Sequence, residues 1–327
     1  MKRTLQTTIR ILPILLLPFM AMAQWTQTGG PFGGHVSVLA SQGTTLFAGT
    51  PGGVYRSTND GTLWSPVNSG LANTNIWSLT SEGPNLFAGT AGDGIFRSTD
   101  SGISWAPANS GMSTSYIQCI QSYDAELFAG GASGLYRSTN NGTSWVTATS
   151  GLTNPNVWSI GVSPSGANLL AGTNGGGVFL STNNGASWAT SNTGLTSTSV
   201  WAFGKLGSDL FAATSSGTFR STDNGLSWSE ARTGMNFATV FDIETLGTSM
   251  FAGSNTGVYV STNAGADWTQ SNSGLTSTYV RSLELLDTVL YAGTEGGGVF
   301  RSSDKGANWT PVNTGLAATV VNALGIN

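Results

Sequence analysis

Seven side chains occupy one repeated place in this chain yet share no chemistry: Ser37, Trp77, Gln118, Trp158, Trp201, Phe241 and Arg281. Each follows a β-branched residue, in order Val36, Ile76, Ile117, Val157, Val200, Val240 and Val280, so one position is tightly constrained while the next varies. Brought together, three indoles, a phenyl ring, a guanidinium and an amide would suit a sugar or a peptide. Aromatic faces stack on the apolar face of a pyranose, and Gln118 and Arg281 supply polar contacts. The same rings could instead wedge between neighbouring sheets and close a core, the commoner use of large aromatics in a repeat protein. Exposure of Trp77, Trp158 and Trp201 would favour the first reading.

Acid chemistry has fewer candidates. Glycoside hydrolysis needs two carboxyl groups facing one another across about 5–10 Å. In the loops that follow the recurrent Ala-Gly-Thr run, the acids are Asp93 and Glu295, in the second and seventh repeats, and solvated loop carboxylates are the plainer reading of both. Asp242 and Glu244 flank Ile243 with no evident base or nucleophile beside them. His35, the single histidine, reads as a lone surface or mouth residue. One cysteine, Cys119, cannot form an internal disulfide, and with one histidine the chain cannot assemble a Cys/His metal cluster. Neither a metal nor a cofactor is expected.

The elements that must position these residues come from a repeat. An eight-residue phrase, Ser, any, Asp or Asn, any, Gly, any, any, Trp, starts at residues 57, 98, 138, 181, 221, 261 and 302. A period near forty, built from short apolar runs and Gly-rich turns, predicts a propeller with one small antiparallel sheet per repeat. In the second repeat, residues 76–79, 86–90, 94–98 and 105–108 read as four short strands. The second of these recurs as Leu46-Phe47-Ala48-Gly49, Leu127-Phe128-Ala129-Gly130 and similar runs, whose alternation of large and small suits wedges converging on an axis. The phrase falls on the turn from third to fourth strand. There Asn59, Asp100, Asn140, Asn183, Asp223, Asn263 and Asp304 can fold a side-chain oxygen onto the turn amides. The following Gly supplies a positive φ, and the Trp is expected to pack over its own hairpin.

This phrase is the Asp box, or bacterial neuraminidase repeat, and over residues 24–327 the chain resembles the Asp-box propeller families. These include sialidases, xyloglucan-active glycoside hydrolases, the sortilin ectodomain and photosystem assembly factors. The resemblance implies an all-β fold, a seven-bladed β-propeller of four-stranded antiparallel blades, and it spreads function over enzymes, receptors and assembly factors. The xyloglucan-active enzymes carry a catalytic acid in a loop like those holding Asp93 and Glu295, but they hold substrate between two propellers and this chain has residues for one. Pro51 also stands in the first-blade loop where an acid would be wanted. Sialidases use three arginines and a Tyr activated by a Glu. Here Arg56, Arg97, Arg137, Arg220 and Arg301 share one repeat position, which leaves Arg232 and Arg281 beyond the leader. The assembly factors are expected to present a basic face, and this chain is acidic.

Lys2, Arg3 and Arg10 precede an apolar run at 11–20 and then Ala21-Met22-Ala23, which predicts a signal peptide over 1–23 cleaved before Gln24. The run is too short to span a bilayer, so export to the periplasm or the cell exterior without membrane insertion is expected. Beyond the leader, nine Lys and Arg face sixteen Asp and Glu, which argues against nucleic acid as a partner. Trp25-Thr26-Gln27 reads as a surplus fourth strand and residues 320–326 as a surplus first strand. Successive phrases differ in spacing by at most three residues, whereas enzymes on such scaffolds build specificity from long unequal loops. The expectation is therefore one propeller over 24–327 that binds a glycan or an extracellular protein at its mouth without catalysis, its oligomeric state open. A glycoside hydrolase using Asp93 and Glu295 is the alternative.

Overall fold

A computed structural model describes residues 34–236 and 238–316. The predicted leader and both surplus strands lie outside them. Contacts divide the chain into Met1–Pro31 and Phe32–Asn327, and the described residues belong to the second unit.

Each repeat becomes one sheet of four strands in consecutive order, and seven such sheets follow one another. In the second, Ile76–Glu82, Asn85–Thr90, Ile95–Ser98 and Ala106–Pro107 pair antiparallel throughout. The first strand is longer than the sequence pattern predicts and the fourth is shorter. Trp105 leaves the ladder because its backbone N–H donates instead to Ser69 O of the blade before, at 2.8 Å. The first and seventh sheets, like the rest, are made of their own consecutive strands, so no strand is exchanged among the described residues.

The blades meet along seams that recur at every step. On the second strand, the small residue after Ala leaves room for the β-branched residue that opens the next blade. A Cβ on Gly89 would lie 2.7 Å from Ile117 Cγ2, one on Gly172 would lie 2.8 Å from Val200 Cγ1, and one on Gly293 would lie 2.7 Å from Val36 Cγ1. The last of these joins the seventh blade to the first and closes the ring. Further out, Phe47, Phe87 and Phe128 pack on Gly102, Gly142 and Gly185 of the following blade, so the glycine of the repeated phrase faces a neighbour as well as its own turn.

Within the turn, Ser98 Oγ donates to Asp100 Oδ1 at 2.7 Å, accepts from Gly102 N at 2.8 Å, and Asp100 Oδ1 accepts from Ser104 N at 2.9 Å. The other six turns repeat this pattern. The Trp does more than cover this hairpin. Trp105 Nε1 donates to Val67 O of the preceding blade at 2.8 Å, and Trp145, Trp188, Trp228, Trp268 and Trp309 repeat the bond at 2.8–3.0 Å. Trp64 makes it to Val312 O across the closure, at 2.8 Å. A glycine in the preceding blade lies against the Trp carbonyl each time. Gly151, at φ +82°, would place a Cβ 2.1 Å from Trp188 O.

Two glycine substitutions separate the seam from backbone strain. Gly207 has φ +59° with nothing within 4 Å of a built Cβ, so Gly207→Ala should cost about 1 kcal/mol for left-handed backbone alone. Gly151→Ala adds the collision with Trp188 O and should cost about 1–3 kcal/mol more. Equal losses in denaturant melts would show that the seam is not tightly packed.

Candidate functional site

The variable position of the sequence owes its freedom to a bulge. Val157 pairs with Thr173 and Ser159 with Gly172, so Trp158 has no partner across the ladder. The same break falls at Trp77, Gln118, Trp201, Phe241 and Arg281. A β-bulge inserts one unpaired residue and re-aims its side chain. In the first blade Ser37 precedes the strand Val38–Gln42, and its N–H donates to Gly49 O at 2.9 Å. The residue before each bulge is fully buried between blades, which explains why it stays Val or Ile.

These seven residues, together with His35, line one cavity of about 400 Å³. Each blade contributes, so the cavity lies on the axis of the ring and is walled on every side. Trp77 is 37% exposed, Trp158 and Trp201 are half-buried, and Phe241 is 7% exposed. The rings therefore pack on one another and line the cavity at once. Trp158 and Trp201 have centroids 3.9 Å apart with planes tilted by 43°, and Phe241 meets Trp201 edge-on at 5.1 Å.

Phe241 also stacks on Tyr279 at 5.0 Å, and the Arg281 guanidinium lies 4.7 and 4.8 Å from those two ring centres. Arg281 Nε and Nη2 donate to Glu295 Oε2 at 3.2 and 3.1 Å, and His35 Nδ1 lies 3.9 Å from Glu295 Oε1. Burial lowers the His35 pKa below its ordinary 6.5, outweighing the pull of Glu295, while Arg281 lowers it further. At neutral pH His35 is uncharged and the charge on Arg281 is met by Glu295. Three enclosed polar atoms of the lining, Gln118 Oε1 and the indole nitrogens of Trp158 and Trp201, have no hydrogen-bond partner.

Of the two acids considered for hydrolysis, Glu295 sits against Arg281 at the edge of this cavity. Asp93 lines a separate recess of about 250 Å³ with Asn109, Thr114 and Ser115. No carboxylate is among the described residues lining the axial cavity. Arg232 is held on its own blade, where Nη1 donates to Ser216 O and Nη2 to Glu230 Oε1, both at 2.7 Å.

Sequence reasoning missed Tyr279 and Tyr116, the latter 50% exposed with its ring centre 6.3 Å from that of Trp77. A signal was present. The position before each β-branched residue reads His35, Asn75, Tyr116, Asn156, Ser199, Thr239 and Tyr279, and it varies as widely as the bulge.

Further along the first strands of the last two blades, Val240–Leu246 and Val280–Leu286, three carboxyl residues are half-buried. Asp242 accepts from Ile243 N at 2.9 Å on its own strand, and from Leu283 N at 2.8 Å and Ser282 Oγ at 3.3 Å, two bonds that tie the sixth blade to the seventh. Burial pushes its pKa up to about 6 against those bonds. Burial, then the charges of Asp242 and Glu284, push Glu244 up to about 8, and burial pushes Glu284 up to about 7. Glu284 was not singled out from sequence, and Asp242 and Glu244 prove to be neighbours of one another.

A folded-state pKa above the unfolded value means that between them the unfolded chain releases a proton the folded chain keeps, so stability falls as pH rises. For Glu244 that window runs from its ordinary 4.5 to about 8. Glu244→Gln should therefore leave the melting temperature unchanged near pH 4 and raise it near pH 8. A shift of equal size at both pH values would place the carboxyl in water.

The sequence matches no family model and no curated protein. Similarity is found among solved structures. The GH74 enzyme of Niastella koreensis superposes with a TM-score of 0.70 at 20% identity, covering 86% of this chain and 55% of that one. The extracellular domain of a B. thetaiotaomicron one-component system gives 0.68 at 15% identity, over 84% of this chain and 39% of that one. YCF48 bound to D1 peptide gives 0.64 at 14% identity, over 83% and 93%. The chain thus spans well under two thirds of the first two. Likeness at these identities concerns architecture: the chain is an all-β propeller of seven four-stranded blades, a fold it shares with glycoside hydrolases and with binding proteins.

Proposed function

We propose that this protein is a non-catalytic, extracellular binding propeller whose ligand occupies the axial cavity. One observation carries the reading. The position that the bulge frees from the ladder, in six of the seven blades, is the position that lines the cavity, while the β-branched residue just before it is consumed by the seam between blades. A wall of indoles with a few convergent polar groups is what a ligand pocket offers. The fold is compatible with this role, since YCF48 is a propeller that binds a peptide. An extracellular location fits both the predicted leader and the likeness to the B. thetaiotaomicron extracellular domain. The hydrolase alternative draws no support from the placement of its acids, because a glycosidase needs its two carboxyls on one substrate, whereas Asp93 lines a recess without Glu295, and Glu295 is bonded to Arg281.

Intrinsic Trp fluorescence of the purified protein, titrated with oligosaccharide and peptide panels, tests the site. Trp77→Ala and Trp158→Ala should each weaken binding of a retained ligand by about tenfold or more, with the Trp77 variant melting like the parent because that ring is exposed. Binding that survives both substitutions unchanged would move the site elsewhere.

A further inference from the structure

Resting on the axial cavity as the ligand site, we infer that it takes the terminal one or two units of a neutral glycan, inserted end-on. Three observations lead there. The lining draws at least one residue from each of the seven blades, so the cavity has an entrance along the axis and no lateral cleft. A chain that enters such a cavity must enter by an end, since its middle would have to pass through the wall. The volume, about 400 Å³, lies toward the small end of the roughly 300–1,000 Å³ typical of ligand pockets. It holds a short terminus and excludes an extended run.

Charge decides the class of terminus. The end of a peptide brings an ammonium or a carboxylate, and an acidic sugar brings a carboxylate. Each would need a counter-charge in the walls. Arg281 is already engaged through Nε and Nη2 by Glu295, and burial keeps His35 uncharged at neutral pH. The lining therefore offers neither ion an unmatched partner. Among the described residues its enclosed polar atoms without partners are two indole N–H donors, on Trp158 and Trp201, and one amide acceptor, Gln118 Oε1. A hydroxyl donates and accepts, so hydroxyls satisfy both kinds at once. Leaving three enclosed polar atoms unmatched costs about 1–3 kcal/mol each, which a polyhydroxylated ligand would recover. The indole faces meanwhile match the apolar face of a pyranose. The Trp158 and Trp201 nitrogens are enclosed, so their paired rings must turn apart as the sugar enters, and their emission reports it.

The test uses the purified protein and uncharged oligosaccharides of one to six units from the gluco-, xylo-, manno- and galacto- series, in both α- and β-linked forms where they exist, beside a panel of hexapeptides. Trp emission and calorimetry give the affinities. In the series that binds, affinity should rise from mono- to disaccharide and change by less than about threefold from disaccharide to hexasaccharide. Gln118→Ala should lower it about fivefold or more. For an α-glucan ligand, maltoheptaose should bind and β-cyclodextrin, the same chain without ends, should not. An affinity that climbs more than about tenfold between disaccharide and hexasaccharide would overturn end-on entry while leaving the cavity as the site. Binding by peptides alone, or by no oligosaccharide, would overturn the sugar assignment. Sugar binding indifferent to Trp77→Ala and Trp158→Ala would instead overturn the axial site itself.

Discussion

The wheel depends on one contact made at every step around it. The indole N–H of each repeat donates to a carbonyl of the blade before, and a left-handed glycine of that earlier blade lies against the Trp carbonyl. Each seam thus buries a donor, an acceptor and a ring in register. Losing the donor would leave a buried carbonyl unmatched at about 1–3 kcal/mol, and the ring's burial contributes more. Because the bond between Trp64 and Val312 is of the same kind as the other six, the ring closes by the interaction that propagates it. The first and last sheets need no exchanged strand to hold them.

That dependence explains what was legible in the sequence. Ser and Asp or Asn recur at fixed spacing because they bond one another and the turn amides, and Gly and Trp because each is used twice, once by its own turn and once by a neighbouring blade. A side chain answering to two constraints shows as a strict repeat. The second strand was legible for the same reason, since Gly89 and Gly172 make room for Ile117 and Val200. A second repeated run passed unnoticed: Asn68-Ser69-Gly70-Leu71, Asn109-Ser110-Gly111-Met112 and Asn192-Thr193-Gly194-Leu195. Its Asn accepts from the third strand, as Asn68 Oδ1 does from Val54 N at 2.8 Å, and its Gly meets the Trp of the following blade. The residue before the phrase's Gly also carries a positive φ in every turn, from +53° at Asn184 to +60° at Asn224. Its identities, which include Ala264 and Lys305, gave no hint of that.

The candidate site was legible by the opposite signal. Amid positions held fixed by packing, one position per blade ranges from Ser37 to Trp77 to Arg281, and a bulge supplies the cause. The bulge could not be read from sequence, because it is a register between two strands and its marker is the absence of a constraint. Nor could the arc from Phe241 through Arg281 to Glu295, since its members come from different loops and blades and meet only when the ring is closed. The half-buried carboxyls of the sixth and seventh blades were partly legible. Asp242 and Glu244 are neighbours in the chain, whereas Glu284 joins them from the next blade.

A cavity on the axis of a closed wheel differs in kind from a site built on loops. Its walls are the inner edges of seven sheets, each fixed by seams on both flanks, so the backbone that carries the facing side chains is held before any ligand arrives. Preorganisation of that sort reduces the ordering cost of binding. It also frees specificity from loop length. Here the loops are short and nearly uniform, and blades differ at the mouth chiefly in the bulge residue and the varied residue two before it. Changing the bulge side chain alters what the cavity presents without disturbing a seam, because the residue has no partner in the ladder to lose. Stability and recognition are thus carried by adjacent positions of one strand: the β-branched residue holds the blades together, and the next residue, turned out of the ladder, faces whatever enters.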